Sequence, residues 1–282
     1  MNFIEGKPIK NVLDAISLTL DKRDCFYRGE GDSFTFLLPK IFRERYWPGP
    51  AVAFGPEASE KLRKLETDHI YEFKRLAPGL CPELPGERNP LNNLKWLFLM
   101  QHHGMPTRLL DWTRNILVAT FFAVTDTEKN NDKDGQVWSI KPLELNNAGG
   151  IGFAFPLPGH SIVEYLAREM FYSLEKKEGL AKKLDISNIP TEPVAILPPL
   201  CWPRMVAQDS VFTLHPKPRS EETVYVAPAK LTRHKIPAQL KRQIQTELRC
   251  IGVEHRTLFP ELDSIAKDMM QQFKDYQQTE SN

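Results

Sequence analysis

Cysteine is scarce in this chain of 282 residues: Cys25, Cys81, Cys201 and Cys250 stand far apart. None belongs to a Cys-x-x-Cys pair or a His/Cys ladder, which speaks against a structural zinc site and against a disulfide scaffold. A reducing compartment is the simplest setting for such thiols. Net charge is nearly absent as well, +1 from 37 basic and 36 acidic residues. The molecule as a whole therefore has no field that draws in nucleic acid or an anionic membrane, although a balanced total can hide a local basic groove. No apolar run reaches the roughly 20 residues of a membrane helix. The opening stretch, residues 1–24, sets acids into its apolar pattern, unlike a signal peptide. A cytoplasmic protein with no membrane partner is the expectation.

The common catalytic fingerprints are missing too. There is no Gly-x-x-x-x-Gly-Lys-Ser/Thr loop and no Gly-x-Gly-x-x-Gly after a strand. There is no His-Glu-x-x-His, and His160 with Glu164 is a lone pair four residues apart. No Gly-x-Ser-x-Gly elbow occurs, and Cys201 sits in Leu-Cys-Trp-Pro without a base beside it. These absences remove the commonest ATPase, kinase and hydrolase readings. No metal is expected.

What is present is an ordinary globular composition, 41% hydrophobic and 26% charged, in a chain long enough to bury a sizeable core. Apolar spacing predicts helices over Lys10–Asp21 (Val12, Leu13, Ile16, Leu20), Glu57–Leu76 (Leu62, Leu65, His69, Phe73, Leu76), Leu91–Met100 and Asn115–Thr125. Further helices are expected over Pro158–Lys177, Ala238–Ile251 and Phe259–Tyr276, the last burying Leu262, Ile265, Met269 and Phe273. Strands are expected at Cys25–Arg28, Gln136–Ile140, Pro193–Leu200, Arg204–Leu214, Thr223–Val226 and Lys230–Ile236. Tyr46–Pro56 and Pro78–Pro90, rich in Pro and Gly, read as loops. Strands and helices mix without βαβ alternation, so the fold class is α+β: one domain with a mixed or antiparallel central sheet and surrounding helices. The domain spans residues 1–276, with its core at about 20–270, and residues 277–282 form a tail expected to fray.

Two segments carry chemistry. Gln101-His102-His103-Gly104-Met105-Pro106-Thr107-Arg108-Leu109-Leu110-Asp111-Trp112-Thr113 packs two imidazoles, a Gly-x-Pro turn, an Arg, an Asp and a Trp between two apolar helices. Polar groups placed there must find partners; Arg108 and Asp111 are expected to brace the junction by pairing with each other. Adjacent residues of an element point different ways, so only one of His102 and His103 is expected to line a cleft. The second segment is Phe26-Tyr27-Arg28-Gly29. An Arg at a strand end, followed by Gly, puts a planar cation where the backbone can bend close to a phosphate or carboxylate, or forms an ordinary salt bridge. In Arg204–Phe212, read as a strand, Arg204, Gln208 and Ser210 share one face. Glu261 and Asp263 sit favourably at the positive start of the last helix.

The chain resembles the FRG domain family. Phe-Tyr-Arg-Gly is followed by Leu37-Leu38-Pro39-Lys40-Ile41-Phe42-Arg43, and the likeness runs through the Glu66 helix, the Gln101–Thr113 motif, Asn115–Ala123, Gly135–Trp138, Arg204–Phe212, Leu248–Gly252 and Leu258–Asp263. It covers nearly the whole chain. FRG domains are similar in motif layout to the ADP-ribosyltransferase group and are associated with bacterial toxin and anti-phage settings. The resemblance implies an NAD-consuming enzyme, an ADP-ribosyltransferase or NAD glycohydrolase, with NAD as substrate. Arg28 and Gly29 match the dinucleotide-binding motif. Thr107, Arg108 and Trp112 stand in the middle motif, Trp112 suited to stacking on nicotinamide or adenine. Arg204 and Gln208 stand in the third, where the family's Glu position holds Gln208. His102 or His103 is implied to bond a ribose hydroxyl, and Asp111 or Glu261 to stabilise the ribosyl cation. Partners are then a small nucleotide and, for transfer, a macromolecular ADP-ribose acceptor. Two other functions fit the same residues: a nucleotide- or nucleic-acid-binding module without turnover, and a partner or sensor protein of a defence system.

Overall fold

The structure, a computed structural model, describes residues 3–20, 24–32, 37–43, 56–80, 92–125, 132–156, 160–168, 174–186, 190, 192–216, 231–266, 268–270 and 273. Its strands are β1 (Ile4–Glu5), β2 (Phe26–Glu30), β3 (Leu109–Thr113), β4 (Gly135–Ile140), β5 (Val194–Ile196), β6 (Ser210–Leu214) and β7 (Leu231–Ile236). Its α-helices are α1 (Val12–Leu20), α2 (Pro56–Leu76), α3 (Asn92–His102), α4 (Ile116–Thr125), α5 (Pro142–Ala148), α6 (Ser161–Arg168), α7 (Leu174–Lys183), α8 (Pro203–Ala207), α9 (Lys241–Cys250) and α10 (His255–Leu258). The strands form one seven-stranded sheet in the order β1-β7-β4-β2-β3-β6-β5. Only β1 and β7 run parallel; every other neighbouring pair is antiparallel. The mixed sheet ringed by helices is the expected fold class.

Period-two alternation divides the core. On one face, Tyr27, Val137 and Ile236 pack with α1, α4 and α9. On the same face of the other half-sheet, Leu109, Phe212, Leu214, Val194 and Ile196 pack with α3, α6 and α7. Phe26, Trp138, Ile140, Leu110, Trp112 and Val211 fill the opposite face. Helix α4 lies directly against glycines: a Cβ on Gly29 would fall 1.7 Å from the Ala119 carbonyl oxygen, and one on Gly135 2.4 Å from that of Ala123. The bare backbone at Gly29 thus admits a helix, the specific close approach that only Gly allows.

Several expectations are corrected. Arg204–Leu214 is not one strand: Pro203 begins the short α8, and β6 starts at Ser210. Pro at the first helical turn favours helix there, and Asp209, at φ 44°, makes the corner. Helix α2 buries Leu62, Glu66 and Ile70 while Leu76 and His69 are exposed, because Glu66 is drawn inward by a buried arginine described below. Of the α1 stripe, Val12 is buried, but Leu13, Ile16 and Leu20 face outward, and it is Ala15 that lets α4 approach. The last helix starts at residue 262 and exposes Leu262, Ile265, Met269 and Phe273. A polar tether sets its orientation: Asp268 Oδ2 accepts from the Arg256 backbone N–H at 2.7 Å, and Ser264, not the apolar stripe, is buried. Pro158–Lys177 resolves into α6 and α7, with residues 157–159 and 169–173 outside the described residues. Residues 46–55, 81–90, Thr223–Val226 and the tail 277–282 also lie outside them. No helix among the described residues is long and apolar enough to cross a membrane.

Candidate active site

Strand β2 is registered with β4 over all five of its residues, and β3 with β6 over all five of its own. Between β2 and β3 a single pair is registered, Tyr27↔Thr113. Beyond that pair the Arg28–Glu30 and Leu109–Asp111 segments make no further registered pair. Arg28 bridges them, its Nη1 donating to the Asp111 carbonyl at 2.9 Å. Its Nε donates to Glu30 Oε1 at 3.1 Å, and Nη1 lies 4.0 Å from Asp111 Oδ2.

The wall opposite Arg28 comes from the end of α3. The helix stops at His102, and Gly104, at φ 80°, turns the chain toward β3. Gln101 projects from the last helical turn and holds Asp111: Gln101 Nε2 donates to Asp111 Oδ2 at 2.7 Å, while Gln101 Oε1 accepts from Thr107 Oγ1 at 2.6 Å. Thr107 Oγ1 in turn accepts from the Leu109 N–H at 3.1 Å. A buried hydroxyl, an amide and a carboxylate therefore form one chain that orients Asp111 toward the guanidinium, though the Asp111 side chain remains 57% exposed.

These groups line a cavity of about 600 Å³, a size suited to a nucleotide. Arg28, His102, His103, Asp111, Arg204, Gln208 and Glu261 all border it. Both histidines reach it, whereas one was expected. His103 follows the helix end and so escapes helical register; the rings meet edge to face at 5.0 Å. His102 also stacks on Trp202, with centroids 5.3 Å apart. Burial holds the His102 imidazole below its usual pKa, His103 and Arg204 push the same way, and Glu261 opposes them. At neutral pH the ring is uncharged and can accept a proton. Arg204 lies over the Phe259 ring at 4.5 Å, and Gln208 Nε2 donates to the Leu258 carbonyl at 3.1 Å. These two contacts bring α8 against the Leu258–Glu261 turn and so set Glu261 at the rim. No group of three or more His, Cys, Asp or Glu that could hold a metal is found among the described residues.

Two expected members, Arg108 and Thr107, stand apart from the cavity, and a third, Trp112, turns its indole away from it. Arg108 does not pair with Asp111. It is wholly buried, donating to Glu66 Oε1 at 2.7 Å, the His215 carbonyl at 3.0 Å and the Leu166 carbonyl at 2.7 Å. A guanidinium sealed among α2, α6 and β6 braces the scaffold. Thr107 is buried and acts through Gln101. The Trp112 indole turns to the opposite sheet face, donating to Thr213 Oγ1 at 3.0 Å, while Trp112 contributes to the floor of the cavity. Period two explains the split: Asp111 and Trp112, adjacent in β3, direct their side chains to opposite faces of the sheet. Gly29 borders the cavity, but its missing side chain admits α4. Sequence reasoning assigned no role to Gln101, Lys40 or Arg43, all of which line the cavity. Their signal lay in the quoted motifs, a Gln opening the Gln101–Thr113 segment and two cations three apart after Leu-Leu-Pro.

The family model described as FRG domain matches residues 23–132, a span that holds Arg28, Gln101, both histidines and Asp111. Comparison with curated proteins found no match, and comparison with solved structures found none either.

Proposed function

We propose that this FRG-domain chain binds NAD or a related nucleotide in the β2–β3 cleft and cleaves its nicotinamide glycosidic bond, by ADP-ribosyl transfer or by hydrolysis. The observation that carries the reading is convergence: a guanidinium, two imidazoles and a carboxylate held by an amide border one cavity of about 600 Å³. Arg28 serves the pyrophosphate through charge-assisted bonds. The C1′–N bond breaks with its electron pair going to the pyridinium nitrogen, so nicotinamide leaves neutral. The ribosyl cation left behind is offset by the Asp111 carboxylate, with Glu261 at the rim as the second acid. Water, or the hydroxyl of an acceptor, then attacks C1′ and gives its proton to neutral His102. Loss of NAD would be toxic to a cell, which is the basis for a toxin or anti-phage role. Gln208 has no charge to contribute, and its amide serves the Leu258 carbonyl.

That same Gln208 favours a second reading, binding without turnover. One experiment separates the two. The protein is incubated with NAD, nicotinamide is quantified by chromatography, and NAD-induced thermal shift is recorded in parallel. Release is expected, reduced on the order of 100-fold in Asp111→Asn, with Arg28→Gln raising KM. Intact NAD together with a thermal shift establishes the binding module. Neither release nor shift rules out both.

A further inference from the structure

Two of the arginines described above are engaged by carboxylates, Arg108 by Glu66 at 2.7 Å and Arg28 by Glu30 at 3.1 Å. Arg204 is not. Its guanidinium lies over the Phe259 ring at 4.5 Å, and among the described residues it makes no hydrogen bond and no ion pair. Two carboxylates, Asp111 and Glu261, border the same cavity without pairing with it; Asp111 accepts instead from Gln101 at 2.7 Å. A phenyl ring fixes a guanidinium in place without taking up its N–H groups as a carboxylate would. The Arg204 fork therefore stands in the cavity wall with its donors unspent.

Two more groups of the same corner are unspent. The Gln208 N–H donates to the Arg204 carbonyl at 3.0 Å, so the two residues stand one helical turn apart on one side of α8. Gln208 Nε2 donates to the Leu258 carbonyl at 3.1 Å, which fixes the amide and leaves Oε1 without a partner among the described residues. Ser210 opens β6 opposite Thr113, and its hydroxyl likewise has no partner among the described residues. Arg204, Gln208 and Ser210 border both the cavity of about 600 Å³ and a recess of about 40 Å³ that shares Gln101, His102 and Asp111 with it. A guanidinium fork pairs best with two oxygens of a phosphoryl group, and a serine hydroxyl donates to the same kind of oxygen. An amide oxygen only accepts, so Gln208 Oε1 calls for a donor such as a sugar hydroxyl.

We propose that Arg204 and Ser210 form an oxyanion subsite on the α8–β6 corner, with Gln208 Oε1 beside it to accept from a hydroxyl, and that this corner takes a sugar phosphate portion of the ligand. Arg28 then holds the ligand from the β2 side of the cleft and Arg204 from the β6 side. That the whole ligand is NAD rests on the functional reading above; the sugar phosphate subsite does not.

The test is calorimetric binding of ribose 5-phosphate, inorganic phosphate and ADP-ribose to the full chain, with nicotinamide release from NAD measured on the same preparations. Wild type is compared with Arg204→Gln, Arg204→Lys and Ser210→Ala, and circular dichroism checks folding. Ser210→Ala breaks no side-chain bond among the described residues, so with Arg204→Lys it carries the test if Arg204→Gln does not fold. Wild type is expected to bind ribose 5-phosphate more tightly than inorganic phosphate. Arg204→Gln should bind ribose 5-phosphate about tenfold more weakly and Ser210→Ala about threefold. Arg204→Lys keeps the charge without the fork and should fall between wild type and Arg204→Gln. A wild type that does not bind ribose 5-phosphate overturns the subsite, and so does affinity unchanged in the Arg204 variants and Ser210→Ala. Inorganic phosphate bound as tightly as ribose 5-phosphate overturns the part given to Gln208. Ribose 5-phosphate binding that depends on Arg204, with neither ADP-ribose binding nor nicotinamide release, keeps the subsite and removes the NAD reading. Nicotinamide release with KM unchanged in Arg204→Gln does the reverse.

Discussion

The buried Arg108–Glu66 pair offers a quantitative test of scaffold against site. Both side chains are essentially inaccessible, 0% and 2% exposed, with Nε 2.7 Å from Oε1. Replacing Glu66 by Leu takes from a guanidinium sealed in the core the carboxylate 2.7 Å from its Nε. Removing one partner of such a pair costs about 3–5 kcal/mol, a fall in Tm of roughly 5–8 °C for a chain of this size. Arg108→Met strands the carboxylate instead and also removes donors from the Leu166 and His215 carbonyls, each worth about 1–3 kcal/mol when buried and unsatisfied. The double variant Glu66→Leu/Arg108→Met removes both charges of the pair. It should therefore lose about 2–3 kcal/mol less than the sum of the single losses. Urea denaturation followed by circular dichroism gives the three free energies. A Glu66→Leu loss under about 1 kcal/mol, or strict additivity, would refute the assignment of Arg108 to the scaffold.

Gly29→Ala places a methyl 1.7 Å from the Ala119 carbonyl oxygen, so α4 must move; the expected loss is about 3 kcal/mol or more, read from the same denaturation curves. Leu262→Ser and Phe273→Ser act on side chains 84% and 68% exposed and should change stability by less than about 0.5 kcal/mol, whereas Ile244→Ala in the core should cost about 2–5 kcal/mol. The His102 imidazole, lowered chiefly by burial and then by His103 and Arg204, should titrate by NMR below the ordinary value of about 6.5. The unfolded chain then binds the proton more readily. The contribution of His102 to stability is thus full above about pH 6.5 and declines as pH falls through the folded-state value. A titration midpoint at or above the ordinary value would contradict that environment.

Much of this arrangement was legible in the residues. The almost continuous apolar run Asn115–Thr125 read as a buried helix, and the dense Gln101–Thr113 segment stood out by its polar content between two such helices. The partition of that segment was harder to read. Period two within β3 turns Asp111 to the cavity and Trp112 away, but the phase was invisible without the strand start at Leu109. Arg108 was paired with Asp111 on sequence proximity, whereas its partner Glu66 lies 42 residues away. The same distant pairing rotated the buried face of α2. Leu262, Ile265, Met269 and Phe273 keep perfect helical spacing, yet a polar tether through Asp268 decides which face packs. Spacing reveals a stripe; it does not say that anything within the chain covers it.

The lone Tyr27↔Thr113 pair makes the middle of the sheet a seam. To one side β2, β4 and β7 pack with α1, α4 and α9; to the other β3, β6 and β5 pack with α3, α6 and α7. Arg28 belongs to the first block, and the Gln101–Asp111 chain to the second. Whatever small molecule touches both would rivet two half-sheets that otherwise share little backbone bonding. Occupancy should therefore register far from the cleft, as slower amide exchange along the facing edges of β2 and β3.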